Sequence, residues 1–155
     1  MKPLATFASR LGARITLNSE FVAENAQRYY LLNPALSKVT KADFFYAGLY
    51  LGKVKKGMFF PSFNFLNMLV PVSANKIILD KKAAWLFICG RDVFKKGVLK
   101  VLGSQNKGDI ALVMNTFGEC LGFGMIADRL ERVEGTVAVR NVLDVGDFLR
   151  REFKF

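Results

Sequence analysis

Apolar and polar positions are most regular after residue 75. Lys76 to Leu79 reads as a short strand, and Ala83, Ala84, Phe87 and Ile88 then recur at the spacing of one buried helix face. Asp80 stands just before that helix, where a carboxylate can accept from the free amides of the first turn. Gly90 stands just after it, at the left-handed position that ends many helices. Further on, the runs Val98 to Leu102, Ile110 to Asn115, Glu119 to Ala127 and Gly135 to Asn141 are separated by turn residues at the intervals of a small barrel. Gly122 and Gly124 are two apart, so they share one side of a strand, where missing side chains permit sharp curvature or close approach by another group.

The first half of the chain has a looser pattern. Thr16 to Gln27 is read as a helix and Arg28 to Leu32 as a strand. Asn33-Pro34 is a break before a short helix through Leu36 and Val39, and Phe44 to Lys53 a half-buried strand. Lys53-Val54-Lys55-Lys56-Gly57 reads as a basic turn leading into Met58-Phe59-Phe60, a hairpin with positive charge at its tip. Gly57 to Asn75 carries no charged residue and nearly reaches the length of a bilayer span. Pro61 and Pro71 would break such a span near both ends, and Ser62, Asn64, Asn67 and Ser73 bring polar groups that lipid cannot satisfy. A strand end, a turn and a short buried helix fit better, with Ser62 as cap, Phe63, Leu66 and Val70 on one face and Pro71 as the stop. The expected class is therefore α+β, with an N-terminal mixed α/β domain over residues 1–73 packed against a barrel-like domain with one main helix over residues 74–155.

Charge narrows the choice of partner. The chain carries 23 Lys and Arg against 13 Asp and Glu, a net charge of +10, which favours anionic partners such as nucleic acid or acidic headgroups. Residues 1–74 hold nine basic and three acidic side chains and residues 75–155 hold fourteen and ten, so both halves can face a polyanion. The absence of histidine removes the commonest general base and the commonest transition-metal ligand. Cys89 and Cys120 lie in apolar runs without CxxC spacing, which points to buried reduced thiols and not to a disulfide or zinc site. Arg10 and Arg14 are followed by no continuous apolar segment, so no secretory leader is expected and the location is read as cytoplasmic. No membrane association, metal or cofactor is expected.

Lys96-Gly97-Val98, Lys107-Gly108-Asp109, Leu121-Gly122-Phe123-Gly124 and Val145-Gly146-Asp147 before Arg150-Arg151 closely resemble, in order and spacing, the PUA domain, a small RNA-binding barrel. Together with Leu51-Gly52-Lys53 and Phe148, over roughly residues 48 to 152, the chain resembles the Nip-seven family of ribosome-biogenesis factors, in which a pre-PUA domain precedes a PUA domain. The first 45 residues match only in general layout, and compactness suggests an archaeal member. The resemblance implies a non-catalytic factor that binds precursor rRNA during large-subunit assembly, alongside other assembly or RNA-processing proteins; a monomer is expected, and in a eukaryotic source the location would be nucleolar or nuclear. The PUA RNA face maps to Arg91, Lys95, Lys96 and Gly97 and to Arg150, Arg151 and Lys154, with Lys53, Lys55 and Lys56 as a possible secondary contact. Lys96 departs from the proline and Asn141 from the histidine of many PUA domains. Guanidinium groups bind phosphate bidentately and stack on bases, so these residues suit RNA on chemical grounds as well. Phe153 and Phe155 interleave with the charges as stacking platforms would, while Phe148 reads as core.

Two rival classes compete. An enzyme on the related ASCH barrel, acting on a small nucleoside-type substrate, would need Lys, Thr and Glu gathered in a pocket. The carboxylates Asp109, Glu119, Asp128, Glu131 and Glu134 fall instead at turns or beside arginines. A protein adaptor would expose Phe59, Phe60, Phe63 and Phe65 as an apolar patch.

Overall fold

The computed structural model describes residues 1–39, 44–128 and 135–152, with the side chains of residues 148, 151 and 152 left undescribed. The chain divides into two compact units, Met1–Ser9 with Arg14–Val72, and Arg10–Ala13 with Ser73–Phe155.

In the first unit, helix α1 (Lys2–Arg10) is followed by a 3-10 turn (Ser19–Phe21) and the strands β1 (Val22–Asn25) and β2 (Arg28–Leu31). Helix α2 (Pro34–Val39), strands β3 (Leu49–Lys55) and β4 (Met58–Pro61) and helix α3 (Phe63–Leu69) complete it. The strands form one antiparallel sheet in sequence order, β1-β2-β3-β4. Its core contains an aromatic cluster: Phe59 meets Phe7, Tyr29 and Phe65 with ring centroids 5.7, 6.2 and 5.8 Å apart, the edge-on geometry that aromatic quadrupoles favour. The rings at 59 and 65 thus serve this core and form no exposed adaptor patch. Ser62 caps α3 as its sequence indicates, accepting from the Phe65 amide at 3.2 Å. The buried face of α3 is Phe65, Leu66 and Leu69, rotated from the expected Phe63, Leu66 and Val70, because packing on Phe7 and Phe59 draws Phe65 inward.

The helix expected over Thr16 to Gln27 is replaced by the 3-10 turn and β1, which pairs with β2 through a two-residue turn at Ala26 and Gln27. Both turn residues adopt positive φ, 48° and 62°, the twist a tight hairpin requires, here supplied without glycine or asparagine. The second hairpin matches expectation, with Lys56 and Gly57 at φ 50° and 74° joining β3 to β4.

The second unit is a curled half-barrel of six strands: β5 (Lys76–Leu79), β6 (Val93–Phe94), β7 (Val98–Leu102), β8 (Ile110–Met114), β9 (Cys120–Ile126) and β10 (Val137–Asp144), in the order β6-β10-β9-β8-β5-β7. Only β5 and β8 run parallel. Register shifts interrupt β10 against both neighbours, β5 against β7 and β8 against β9, and such bulges add the twist that curls a sheet. Helix α4 (Lys81–Ile88) lays Ala84 and Phe87 onto a core of Ile77, Leu79, Val93, Ala111, Val113, Ile126 and Val139. Buried Asn75 ties the Arg10–Ala13 segment into this unit. Its backbone amide donates to Leu11, and its side chain donates to the carbonyls of Arg10 and Ile110 while accepting from the Ser104 amide at 3.0 Å. A buried amide with every group satisfied fixes one arrangement of the strands around it.

Asp80 accepts from the Ala83 amide at 2.7 Å, and Gly90 ends α4 at φ +85°, with the Arg91 amide donating to Leu86. Gly90→Val should destabilise this unit by roughly 1–2 kcal/mol, the penalty of a left-handed conformation for a residue with a side chain. An unchanged thermal midpoint would count against it. Cys89 is exposed, contrary to the expected burial, because it lies one turn beyond exposed Trp85 on the outer face of the helix end; Cys120 is half-buried. Among the described residues no helix is long and apolar enough to cross a membrane.

Candidate RNA interface

The C-terminal end of α4, strand β6 and the start of β10 line an open depression of about 580 Å³, through Leu86, Gly90, Arg91, Asp92, Phe94 and Val137. Alternation across the two residues of β6 buries Val93 and turns Phe94 outward, 45% exposed. Arg91 is exposed beside it, and the Lys95 amide donates to the carbonyl of Thr136, the residue before β10, at 3.2 Å, with Lys96 exposed next in line. An aromatic face and a guanidinium therefore line the depression, and Lys95 and Lys96 follow directly in the chain. Asp92 is engaged, accepting from the Asn141 amide at 2.9 Å, and the Asn141 side chain donates to the Phe87 carbonyl at 2.8 Å. Asn141 thus joins the end of α4 and Asp92, at the edge of the depression, to β10.

Two residues expected on this face have structural occupations. Gly97 is buried under α4, where a β-carbon would come within 2.4 Å of the Ala83 methyl. Its contribution is close approach, not a ligand contact. Arg150, on helix α5 (Asp147–Glu152), forks onto the buried Asp144 carboxylate at 3.0 and 2.6 Å and donates to the Ile88 carbonyl at 2.6 Å. Hydrogen bonding to Asp144 pushes the guanidinium pKa up, so its charge is permanent but already compensated. The same corner explains Val145-Gly146-Asp147: a β-carbon on Gly146 would lie 2.0 Å from the Ile88 carbonyl oxygen. Arg150 is therefore a fastening between α5 and α4 that packs against Gly90 on the rim of the depression.

Arg151 lies on α5 with its side chain undescribed, and Lys154, Phe153 and Phe155 lie outside the described residues, as do Glu131 and Glu134; the Phe148 side chain is also undescribed. Lys53, Lys55 and Lys56 are all exposed at the β3–β4 hairpin of the first unit. Phe94, Leu86 and Trp85, all exposed, were not singled out by sequence. The alternation Val93-Phe94 is a signal for Phe94, but two residues are too few to read as a strand.

A family model described as the UPF0113 PUA domain matches residues 75–153. The chain belongs to this family. A UPF0113 protein of Archaeoglobus fulgidus is 31% identical over 111 residues, covering 69% of this chain and 63% of that protein, so the match spans less than two thirds of the relative's length. Among solved structures, a PUA domain protein from Thermoplasma acidophilum superposes with a TM-score of 0.63 at 24% identity, over 98% of this chain and 93% of that one. A PUA domain from Aeropyrum pernix K1, determined as a tartrate complex, gives 0.61 at 20% identity over 93% and 82%. The expectation of a PUA domain agrees with the family match and with these folds.

Proposed function

We propose that the chain is a non-catalytic RNA-binding factor of the Nip-seven type, acting in the cytoplasm on precursor rRNA during large-subunit assembly together with other assembly proteins. The observation that carries the reading is the depression beside the end of α4, where Phe94 and Arg91 are exposed and Lys95 and Lys96 follow directly. Aromatic faces stack unpaired bases and cations hold phosphates, the usual combination at single-stranded RNA sites. The carboxylates available to an enzyme do not favour one. Asp109 accepts from the Ser104 hydroxyl and Glu119 from the Asn115 side chain, both within turns. Among the described residues no three His, Cys, Asp or Glu side chains are grouped to hold a metal.

Crosslinking of bound RNA in cell extract followed by sequencing tests substrate class and identity together. The expected product is large-subunit precursor rRNA, recovered at discrete positions. Recovery of other RNA without ribosomal precursor would overturn the assembly role, and multiple turnover of RNA by homogeneous protein, abolished by one substitution, would overturn the non-catalytic one.

A further inference from the structure

The sheet of the first unit has two faces of different character. Strand register puts Tyr29, Val54 and Phe59 on the core face and sets Asn25, Arg28, Lys53 and Phe60 opposite one another in a row across all four strands on the other face. Tyr30 and Tyr50 follow in the next row, and Lys55 pairs with Met58 at the edge. Segment 44–48 folds onto this second face. Phe44, Tyr46 and Tyr50 surround the buried Tyr30 with centroids 5.3 to 5.5 Å away, and the Tyr30 hydroxyl donates to the Phe45 carbonyl at 3.3 Å. The Asn25 amide donates to the Phe44 carbonyl.

These contacts hold the segment while leaving the Phe45 and Tyr46 rings in solvent. Phe45 is 86% exposed, Tyr46 60% and Phe60 44%, and Met58 is exposed beside them. The Arg28 guanidinium carbon lies 6.0 Å from the centre of the Phe45 ring. Aromatic rings held in place and left exposed are unfavourable in water and mark an interaction surface. The charges select the ligand. Arg28, Lys53 and Lys55 lie on this face, and of the acidic residues described in this unit, Glu24 pairs with Tyr29 on the opposite face and Glu20 lies in the 3-10 turn. Protein interfaces deplete lysine at their centres, whereas cations interleaved with exposed rings suit a polyanion whose bases can stack.

We propose that this face of the β1–β4 sheet is a second RNA-binding surface, on which Phe45, Tyr46 and Phe60 stack unpaired bases while Arg28, Lys53 and Lys55 hold the neighbouring phosphates. Sheet-borne aromatics are an established way of reading single-stranded RNA. The surface rests on the RNA reading above only for the class of its ligand, since no residue of the depression beside α4 takes part.

Full-length protein titrated with a labelled single-stranded oligouridylate over a salt series supplies the test. Phe45→Ala with Phe60→Ala should weaken binding by at least about fivefold, the lower end of base stacking on one ring, without changing the salt slope. Lys53→Ala with Lys55→Ala should lower the slope by about 1.4, at about 0.7 per phosphate. With wild-type protein, a bromouridine-substituted strand should crosslink to Phe45, Tyr46 or Phe60. Wild-type affinity in the ring variant, with crosslinks only in the second unit, would overturn this surface and leave the depression beside α4 standing. Unaltered RNA binding together with loss of a copurifying protein would make the face a protein-docking site. No binding by wild-type protein would overturn both RNA sites.

Discussion

Gly122→Val should strongly destabilise the second unit and lower its melting midpoint. Gly122 sits in β9 at φ +147°, and a β-carbon there would lie 1.9 Å from the Leu143 carbonyl oxygen and 2.8 Å from its carbon. Both are backbone atoms of β10, at the register shift between Asn141 and Leu143, so no side chain can rotate away. Relief requires opening the β9–β10 ladder, which carries the curl of the sheet and holds Val139 in the core. Overpacking alone costs about 1–3 kcal/mol and the sparsely populated backbone conformation about 1–3 kcal/mol more, together a large fraction of a typical domain's stability of roughly 5–15 kcal/mol. Gly118→Ala is the control, because φ is +80° there but nothing lies within 4 Å of the added carbon; it should cost only about 1–2 kcal/mol. A Gly122→Val protein that melts cooperatively at the wild-type midpoint would show that β10 does not press on β9 in this way.

The same comparison explains which parts of the fold were legible in the sequence. In the second unit, local signals agreed with the tertiary arrangement: Asp80 caps α4, Gly90 ends it, and β7 covers the expected residues Val98–Leu102. The glycine pair at 122 and 124 indicated curvature or close approach, and both prove to be positions where β10 crowds the strand. In the first unit the signals were weaker. Ala26 and Gln27 make a tight turn in left-handed conformations that their residue types do not advertise, so β1 read as helix. The spacing of Leu4, Phe7, Ala8 and Leu11, all buried, is the signal that marks helix α1. The cations of the interface could be located from the basic positions after Gly90. What sequence could not reveal is that Arg150 has a partner: Asp144 is six residues away on another element, and their pairing follows from the contact of α5 with the end of α4.

That pairing separates the cations in their expected effect on RNA. Arg91→Ala with Lys95→Ala and Lys96→Ala should lower the steepness of log K against log salt by about 2, at about 0.7 per phosphate on a single strand. Counterion release on that scale weakens binding about a hundredfold at 0.1 M salt. Arg91 and Lys96 are exposed and none of the three side chains has a described ion-pair partner, so the folded state should persist, which circular dichroism and the melting midpoint would verify. Arg150→Ala should behave in the opposite way. Its guanidinium is already neutralised by buried Asp144 and its loss uncovers that carboxylate, so the melting midpoint should fall while the salt slope of the remaining folded protein changes little. Arg150→Lys should recover little of that stability, since a single ammonium cannot span both carboxylate oxygens and the Ile88 carbonyl as the planar fork does. A slope lowered by Arg150→Ala at unchanged stability would instead mean that this arginine leaves Asp144 for a phosphate when RNA binds. Phe94→Ala completes the comparison: affinity should drop by about fivefold or more at unchanged slope, because stacking releases few counterions.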